Sequence, residues 1–209
     1  DGRPGVRVLV FAVSTAELQK QLVNRVGQCV LTSPGSACFA GLEAEETLKV
    51  GALLRFFGDG WQVSKRISGR HFWRVPVMDG EFVCEATTGL TKAAVGGGNL
   101  LLLARSSAGA LRAAEAAHQA MQEISDVVTP FPGGIVRSGS KAGSKYPTLP
   151  ASTNDVIDGL TPEAVAEAMR AGLKAAVKLG PDRGAARISA GNYGGKLGPH
   201  HFHLRDLAP

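Results

Sequence analysis

Two capped helices set among short apolar runs constrain this chain more than any other feature. The runs at residues 81–86 and 99–105 read as strands, and a helix follows over about 108–124, with Leu111, His118, Met121 and Ile124 near one face. Residues 127–136 are extended around Pro130, Pro132, Gly133 and Gly134, and residues 156–160 form a further strand. Thr161 caps the second helix, and Pro162 sits at its first position, where a missing N–H is harmless. Val165, Met169, Gly172, Leu173, Ala176 and Val177 form its apolar stripe, and Gly180-Pro181 stops it. Residues 186–190 and 201–204 read as final strands. The resulting order is β-α-β-β-α-β, the ferredoxin-like pattern.

The first part of the chain echoes this order incompletely. Residues 7–13 read as a strand. Ser14 and Glu17 have capping-box spacing, and Val13 and Leu18 fit a hydrophobic staple. Leu18, Leu22, Val26 and Cys29 then line one helical face, before Ser33-Pro34-Gly35-Ser36 ends the unit. Strands are expected at 52–57, closed by Gly58-Asp59-Gly60, and at 71–77, closed by Asp79-Gly80. The expected fold is α+β, with two ferredoxin-like α/β-sandwich lobes at residues 1–78 and 79–209. The first lobe lacks its opening segment, because the chain starts abruptly at a turn, Asp1-Gly2-Arg3-Pro4-Gly5.

Composition narrows the partners. Of 209 residues, 44% are hydrophobic, enough for a sizeable core, and no apolar run is long enough to span a bilayer. No secretory signal pattern opens the chain. Cys29, Cys38 and Cys84 are odd in number and widely spaced, which predicts separate buried thiols in a reducing, cytoplasmic compartment. The net charge of +5 favours anionic small molecules. Aromatic residues, at 6%, do not interleave with Lys and Arg, so nucleic acid is not an expected partner.

Three segments carry the chemistry. The stretch from Phe131-Pro132-Gly133-Gly134 through Arg137, Ser138, Ser140, Lys141, Ser144 and Lys145 joins flexible backbone, hydroxyls and cations. Glycines let a ligand approach closely, and N–H, hydroxyl and cationic groups hold anionic oxygens. It is not a Walker A loop, because Ser140 stands where the lysine must be. Ala151-Ser152-Thr153-Asn154-Asp155 is a polar cluster suited to bonding a carbonyl or pterin edge. Ser189-Ala190-Gly191-Asn192-Tyr193-Gly194-Gly195-Lys196 is a second glycine-rich loop, with Asn192 and Lys196 as its reactive-looking members. Each also fits a plain linker or hairpin connection. His200, His201 and His203 lack a third ligand of convincing spacing, so no metal is assigned.

These segments, in this order, resemble the signature regions of the formylmethanofuran:tetrahydromethanopterin formyltransferase family. Asp1-Gly2-Arg3-Pro4-Gly5, Gly27-Gln28-Cys29-Val30, Phe56-Phe57-Gly58-Asp59-Gly60 and the ending His203-Leu204-Arg205-Asp206-Leu207 extend the resemblance over the chain. It implies formyl transfer between a methanofuran-type carrier and tetrahydromethanopterin, both bound as substrates, with no tightly bound cofactor. It also implies a homo-oligomer, usually a tetramer, and placement in a bacterial methylotroph formyltransferase/hydrolase complex. The carrier-binding residues it points to are Gly133, Gly134, Arg137, Ser138, Ser140, Lys141, Ser144, Lys145, Asn154, Asn192 and Lys196. The family carries a longer stretch between the positions of Asp155 and Val156, including its candidate catalytic acid. That acid has no counterpart here, and neither Asp155 nor Asp158 is assigned its role. Two other readings remain: a non-catalytic carrier-binding subunit, and a Ser/Lys amidohydrolase in which Lys141 or Lys145 activates a nearby serine.

Overall fold

In the computed structural model, which describes residues 2–136, 157–190, 200 and 202–208, Ser14 opens the first helix as the capping-box spacing predicts. Its hydroxyl accepts from the Glu17 N–H at 3.2 Å, and α1 runs Thr15–Arg25. A π-helical turn, Val26–Val30, follows. The wider turn shifts the helical phase. Val26 and Gly27 are buried, whereas Cys29, expected on the same face, is exposed.

The first unit, Asp1–Lys92, continues with β1 (Ala37–Cys38), β2 (Thr47–Lys49) and α2 (Gly51–Leu54). A 3-10 turn, Arg55–Gly58, extends α2, so the strand expected at 52–57 is helical instead. Leu54 N–H donates to Val50 O at 3.0 Å, and Gly51 and Leu54, three residues apart, are both buried, which the two-residue alternation of a strand would not allow on one face. The Gly58-Asp59-Gly60 stop holds, with Asp59 left-handed at φ 51°. Then come β3 (Val63–Ile67), β4 (Arg70–Val77), β5 (Gly80–Glu85) and β6 (Thr87–Gly89). The main sheet has the order β1-β5-β4-β3, with β1 parallel to β5 and the other pairs antiparallel; β2 pairs with β6 apart from it. Val75, Phe82 and Cys84 on the sheet pack with Val26, Val50 and Leu54.

One expectation about this unit changes. Residues 7–13 pair with no strand among the described residues, and Val8 and Val13 are exposed. Alternating apolar residues become a strand only where a neighbour supplies a ladder and a face to bury. The β4–β5 hairpin, paired from Phe72–Glu85 to Val77–Gly80, keeps β5 with the first compact unit.

The second unit, Ala93–Pro209, contains β7 (Val95–Gly98), β8 (Leu100–Leu103), α3 (Ser107–Met121), β9 (Val127–Val128) and β10 (Ile157–Gly159). It continues with α4 (Pro162–Lys178), α5 (Gly180–Arg183), β11 (Arg187–Ala190) and α6 (Leu204–Leu207). The Gly96-Gly97-Gly98 triplet is strand. β7 and β8 together act as one strand interrupted at Asn99: β10 pairs antiparallel with β7 and with β9, and β11 antiparallel with β8. The order across the unit is β11, β8/β7, β10, β9. In chain order that is fourth, first, third, second, the ferredoxin-like arrangement reached from the β-α-β-β-α-β reading.

Thr161 caps α4 as expected, its hydroxyl accepting from the Ala164 N–H at 3.1 Å, and Ser106 caps α3 in the same way from Gly109. Ala113, Ala117 and Met121 of α3 meet Val165, Ala168, Met169, Leu173 and Ala176 of α4 in the core. Leu111, expected on the apolar face, is exposed, because the buried face of α3 is made of alanines that let the two helices approach. The final strand expected at 201–204 is not one: Leu204 begins α6, and His203 precedes it as an extended N-cap residue.

Two outcomes follow for the first unit. A Cβ on Gly51 would lie 2.7 Å from Glu85 O and 2.8 Å from Cys84 O, both backbone atoms that cannot swing aside. Gly51→Ala should therefore lower unfolding free energy by about 1–3 kcal/mol in urea titration, the usual range for overpacking; an unchanged midpoint would contradict that packing. Glu85 accepts from Arg70 Nε at 2.8 Å and from the Ala40 N–H at 2.8 Å. The Arg70 hydrogen bond, above all, holds its carboxyl below the usual carboxylate range, against the opposing effect of burial. A depressed carboxyl stabilises above its unfolded pKa of about 4.3, and that contribution disappears as pH falls through the lower native value. Thermal melts from neutral to acid pH should show wild type losing more stability than Glu85→Gln, which should start lower at pH 7.

Candidate functional site

The first candidate segment leaves β9 through a tight turn. Gly134 N–H donates to Phe131 O at 2.8 Å, and Gly133 and Gly134 both have φ of 67°, a backbone shape that favours glycine. A Cβ on Gly134 would fall 2.0 Å from His118 Nδ1 and 2.5 Å from its Cε1. The α3 imidazole therefore lies directly on the Gly134 backbone. His118 Nδ1 is also 3.3 Å from Thr129 Oγ1, at the end of the β9 segment. One side chain thus fixes both the strand exit and the glycine turn.

Sheet register brings the roots of the other segments together. Ile157, where the described chain resumes, is opposite Gly98, and Ala190, where β11 ends, is opposite Leu100. The two partners flank the β7/β8 interruption from opposite edges, two residues apart along that strand. Asn99 sits at the interruption, 8% exposed, with an Oδ1 that has no hydrogen-bond partner among the described residues. A buried polar atom without a partner needs an explanation. In the sequence Asn99 reads only as a strand start; the signal that could have found it is a lone carboxamide between a glycine triplet and four leucines. Asp158, one residue into β10, is buried, and its carboxylate accepts from the Gly97 N–H at 3.2 Å, which ties it into the sheet.

Of the residues expected to bind a carrier, Gly133 and Gly134 are described. Arg137, Ser138, Ser140, Lys141, Ser144, Lys145, Asn154, Asn192 and Lys196 lie outside the described residues, as do Asp155 and Val156. His200 and His203 are exposed, and His201 lies outside. Among the described residues no group of three or more His, Cys, Asp or Glu is placed to hold a metal ion, and no helix is long and apolar enough to cross a membrane. Trp73 carries Arg55 over its ring at 4.8 Å, whereas Trp61 is exposed.

Similarity to known proteins extends along nearly the whole chain. Residues 1–77 match the family model described as formylmethanofuran-tetrahydromethanopterin formyltransferase, and residues 80–155 and 156–207 match that of its proximal lobe. A Methylococcus capsulatus formylmethanofuran–tetrahydromethanopterin formyltransferase is 57% identical over 99% of this chain and 77% of its own length. A component of the formyltransferase/hydrolase complex of Methylorubrum extorquens is 49% identical over 99% of this chain and 76% of its own length. The crystal structure of the Methylorubrum extorquens formyltransferase/hydrolase complex with methylofuran superposes with a TM-score of 0.86 at 47% identity, covering 93% of this chain and 72% of that one. The Methanosarcina barkeri enzyme gives 0.81 at 42%, covering 94% and 74%. The proximal-lobe match divides between residues 155 and 156, where the resemblance expects extra family residues. The alignment to the Methylococcus capsulatus protein spans 231 positions against 209 residues here, so that relative has residues with no counterpart in this chain.

The His118–Gly134 contact makes a definite prediction. Gly134→Ala should destabilise by about 1–3 kcal/mol through the clash, and His118→Ala should relieve part of it. A double-mutant cycle read by urea unfolding should give a coupling of about 0.5 kcal/mol or more. Strict additivity would mean that the ring and the turn do not touch.

Proposed function

This chain belongs to the formylmethanofuran–tetrahydromethanopterin formyltransferase family, and we propose from that premise how its second lobe carries out the transfer. The protein is a formyltransferase whose substrates are a methanofuran-type carrier and tetrahydromethanopterin. A nitrogen of the pterin carrier attacks the formamide carbon of the formylated carrier. The tetrahedral intermediate collapses by breaking the old C–N bond, and the proton of the attacking nitrogen ends on the released amine. No enzyme nucleophile is needed. The protein must align two large carriers and stabilise the developing oxyanion.

Gly133 and Gly134 give the carrier close access to backbone. Arg137, Lys141, Lys145 and Lys196 bind anionic groups, and Ser138, Ser140, Ser144, Asn154 and Asn192 supply neutral hydrogen bonds. The observation that supports one shared cleft is the register at Gly98–Leu100, on whose two sides β10 starts and β11 ends. The basic balance of the chain suits anionic carriers. The protein acts in the cytoplasm as a homo-oligomer, a tetramer, and in the setting of a formyltransferase/hydrolase complex, as the name of the Methylorubrum extorquens relative supports.

A second reading is favoured by one observation. The division of the family match at residues 155 and 156 coincides with the absence of the family's candidate acid, so this chain fits a carrier-binding subunit without its own proton donor. Transfer from formylated carrier to tetrahydromethanopterin, measured on the isolated chain, separates the two. Measurable turnover supports the transferase, and tight carrier binding without turnover supports the binding role. Covalent labelling by a serine-directed reagent would instead favour the amidohydrolase.

If the cleft is shared, Lys141→Ala and Lys196→Ala should each raise the KM for the carrier about tenfold or more, as loss of a charge-assisted contact of about 1.5–3 kcal/mol predicts. Initial rates against carrier concentration test this. Normal KM in both variants would place the site elsewhere.

A further inference from the structure

We propose that Cys38 and Cys84 form a reversible dithiol–disulfide couple that takes its oxidising equivalent from a small disulfide such as oxidised glutathione. The two residues are far apart in sequence, but β1 and β5 are parallel neighbours in which Cys38 stands directly opposite Cys84. Adjacent strands lie about 4.7–4.9 Å apart, inside the Cα separation of about 4.4–6.8 Å that a disulfide spans. In-register neighbours share a face, and Cys38 packs against the same core cluster that contains Cys84.

Access is graded in the order the chemistry needs. Cys84 is fully buried in the sheet, whereas Cys38 is partly exposed on a strand of two residues at the sheet edge. A short edge strand can move toward its neighbour while disturbing a single ladder. The neighbouring Cys84 thiol draws the Cys38 pKa down, while Cys38 and burial push Cys84 up, and the Cys84 thiol donates to Glu85 O at 3.5 Å. Cys38 therefore loses its proton first and is also the sulfur that a reagent reaches.

The exchange balances in two steps. The Cys38 thiolate attacks one sulfur of the small disulfide, forms a mixed disulfide and expels one small thiolate. Cys84, after giving up its proton, attacks the Cys38 sulfur and expels the second. Two protein thiols are oxidised and one small disulfide is reduced to two thiols. Cys29, exposed on the π-helical turn, has no cysteine in register with it and serves as an internal reference.

The test is to incubate the full folded chain with oxidised glutathione, block free thiols with iodoacetamide, and measure intact mass and tryptic peptides. The expected result is a cross-linked peptide joining Cys38 to Cys84, lower by two hydrogens than the reduced pair and reversed by dithiothreitol. In Cys84→Ser, Cys38 should retain a glutathionyl group, because nothing resolves it. A wild-type protein that keeps glutathione on Cys38 without cross-linking would overturn the proposal. So would alkylation of Cys38 and Cys84 at equal rates in the native state, or a cross-link to Cys29. The wild-type measurement decides by itself if the variant does not fold.

Discussion

The second lobe depends on the interruption of its central strand at Asn99. A strand has two edges, and an unbroken one could pair along its whole length with both neighbours. Here the β7 half pairs with β10 and the β8 half with β11, so the partners are staggered and meet at the break. That stagger puts the start of β10 beside Gly98 and the end of β11 beside Leu100, one on each side of Asn99. It also leaves one buried carboxamide oxygen without a protein partner among the described residues. Glycine on both sides of the ladder makes the pairing possible. A Cβ on Gly98 would meet Val165 Cγ1 at 2.9 Å, and one on Gly159 would meet Val165 Cγ2 at 2.7 Å. Val165, fully buried, is thus seated on bare backbone, and α4 lies closer to the sheet than side chains would allow.

Much of this lobe was legible because its signals are local. Thr161 and Pro162 mark a helix start by hydrogen-bonding and φ preferences that need no tertiary partner, and Ser14 does the same for α1. The order of elements then selects the ferredoxin-like sheet. What was not legible depends on distant neighbours. α2 is helical where Gly51 packs against the Glu85 and Cys84 carbonyls and Leu54, three residues on, enters the same core, although the apolar run from Ala52 to Phe57 reads equally as a strand. Residues 7–13 carry the opposite case, a strand-like pattern without a ladder. The π-helical turn that exposes Cys29 leaves no trace in composition or spacing.

The candidate site divides along the same line. Glycine, serine and lysine densities pointed to candidate segments by composition alone. The fit of His118 against Gly134 could not be read, because it joins α3 to a turn through a contact with no sequence periodicity. Cys38 and Cys84 show this most sharply. Their number and spacing argue for isolated thiols, yet a parallel ladder sets them in register. Spacing rules detect partners that are close in sequence, and a parallel pair needs an intervening crossover by construction.

A reaction without an enzyme nucleophile asks for position above all. Two carriers, each carrying its own reactive nitrogen, must meet within bonding reach, and the protein contributes alignment and a polar surface for the oxyanion. Loops alone hold such geometry poorly, while loops rooted on a sheet inherit its rigidity. In this lobe one segment is fixed by the His118 ring at Gly134, and two more start from opposite sides of one strand interruption. The roots are therefore set by backbone pairing and a packed ring, both of which resist displacement. Position in this lobe is thus carried by glycines, a histidine and ladder register.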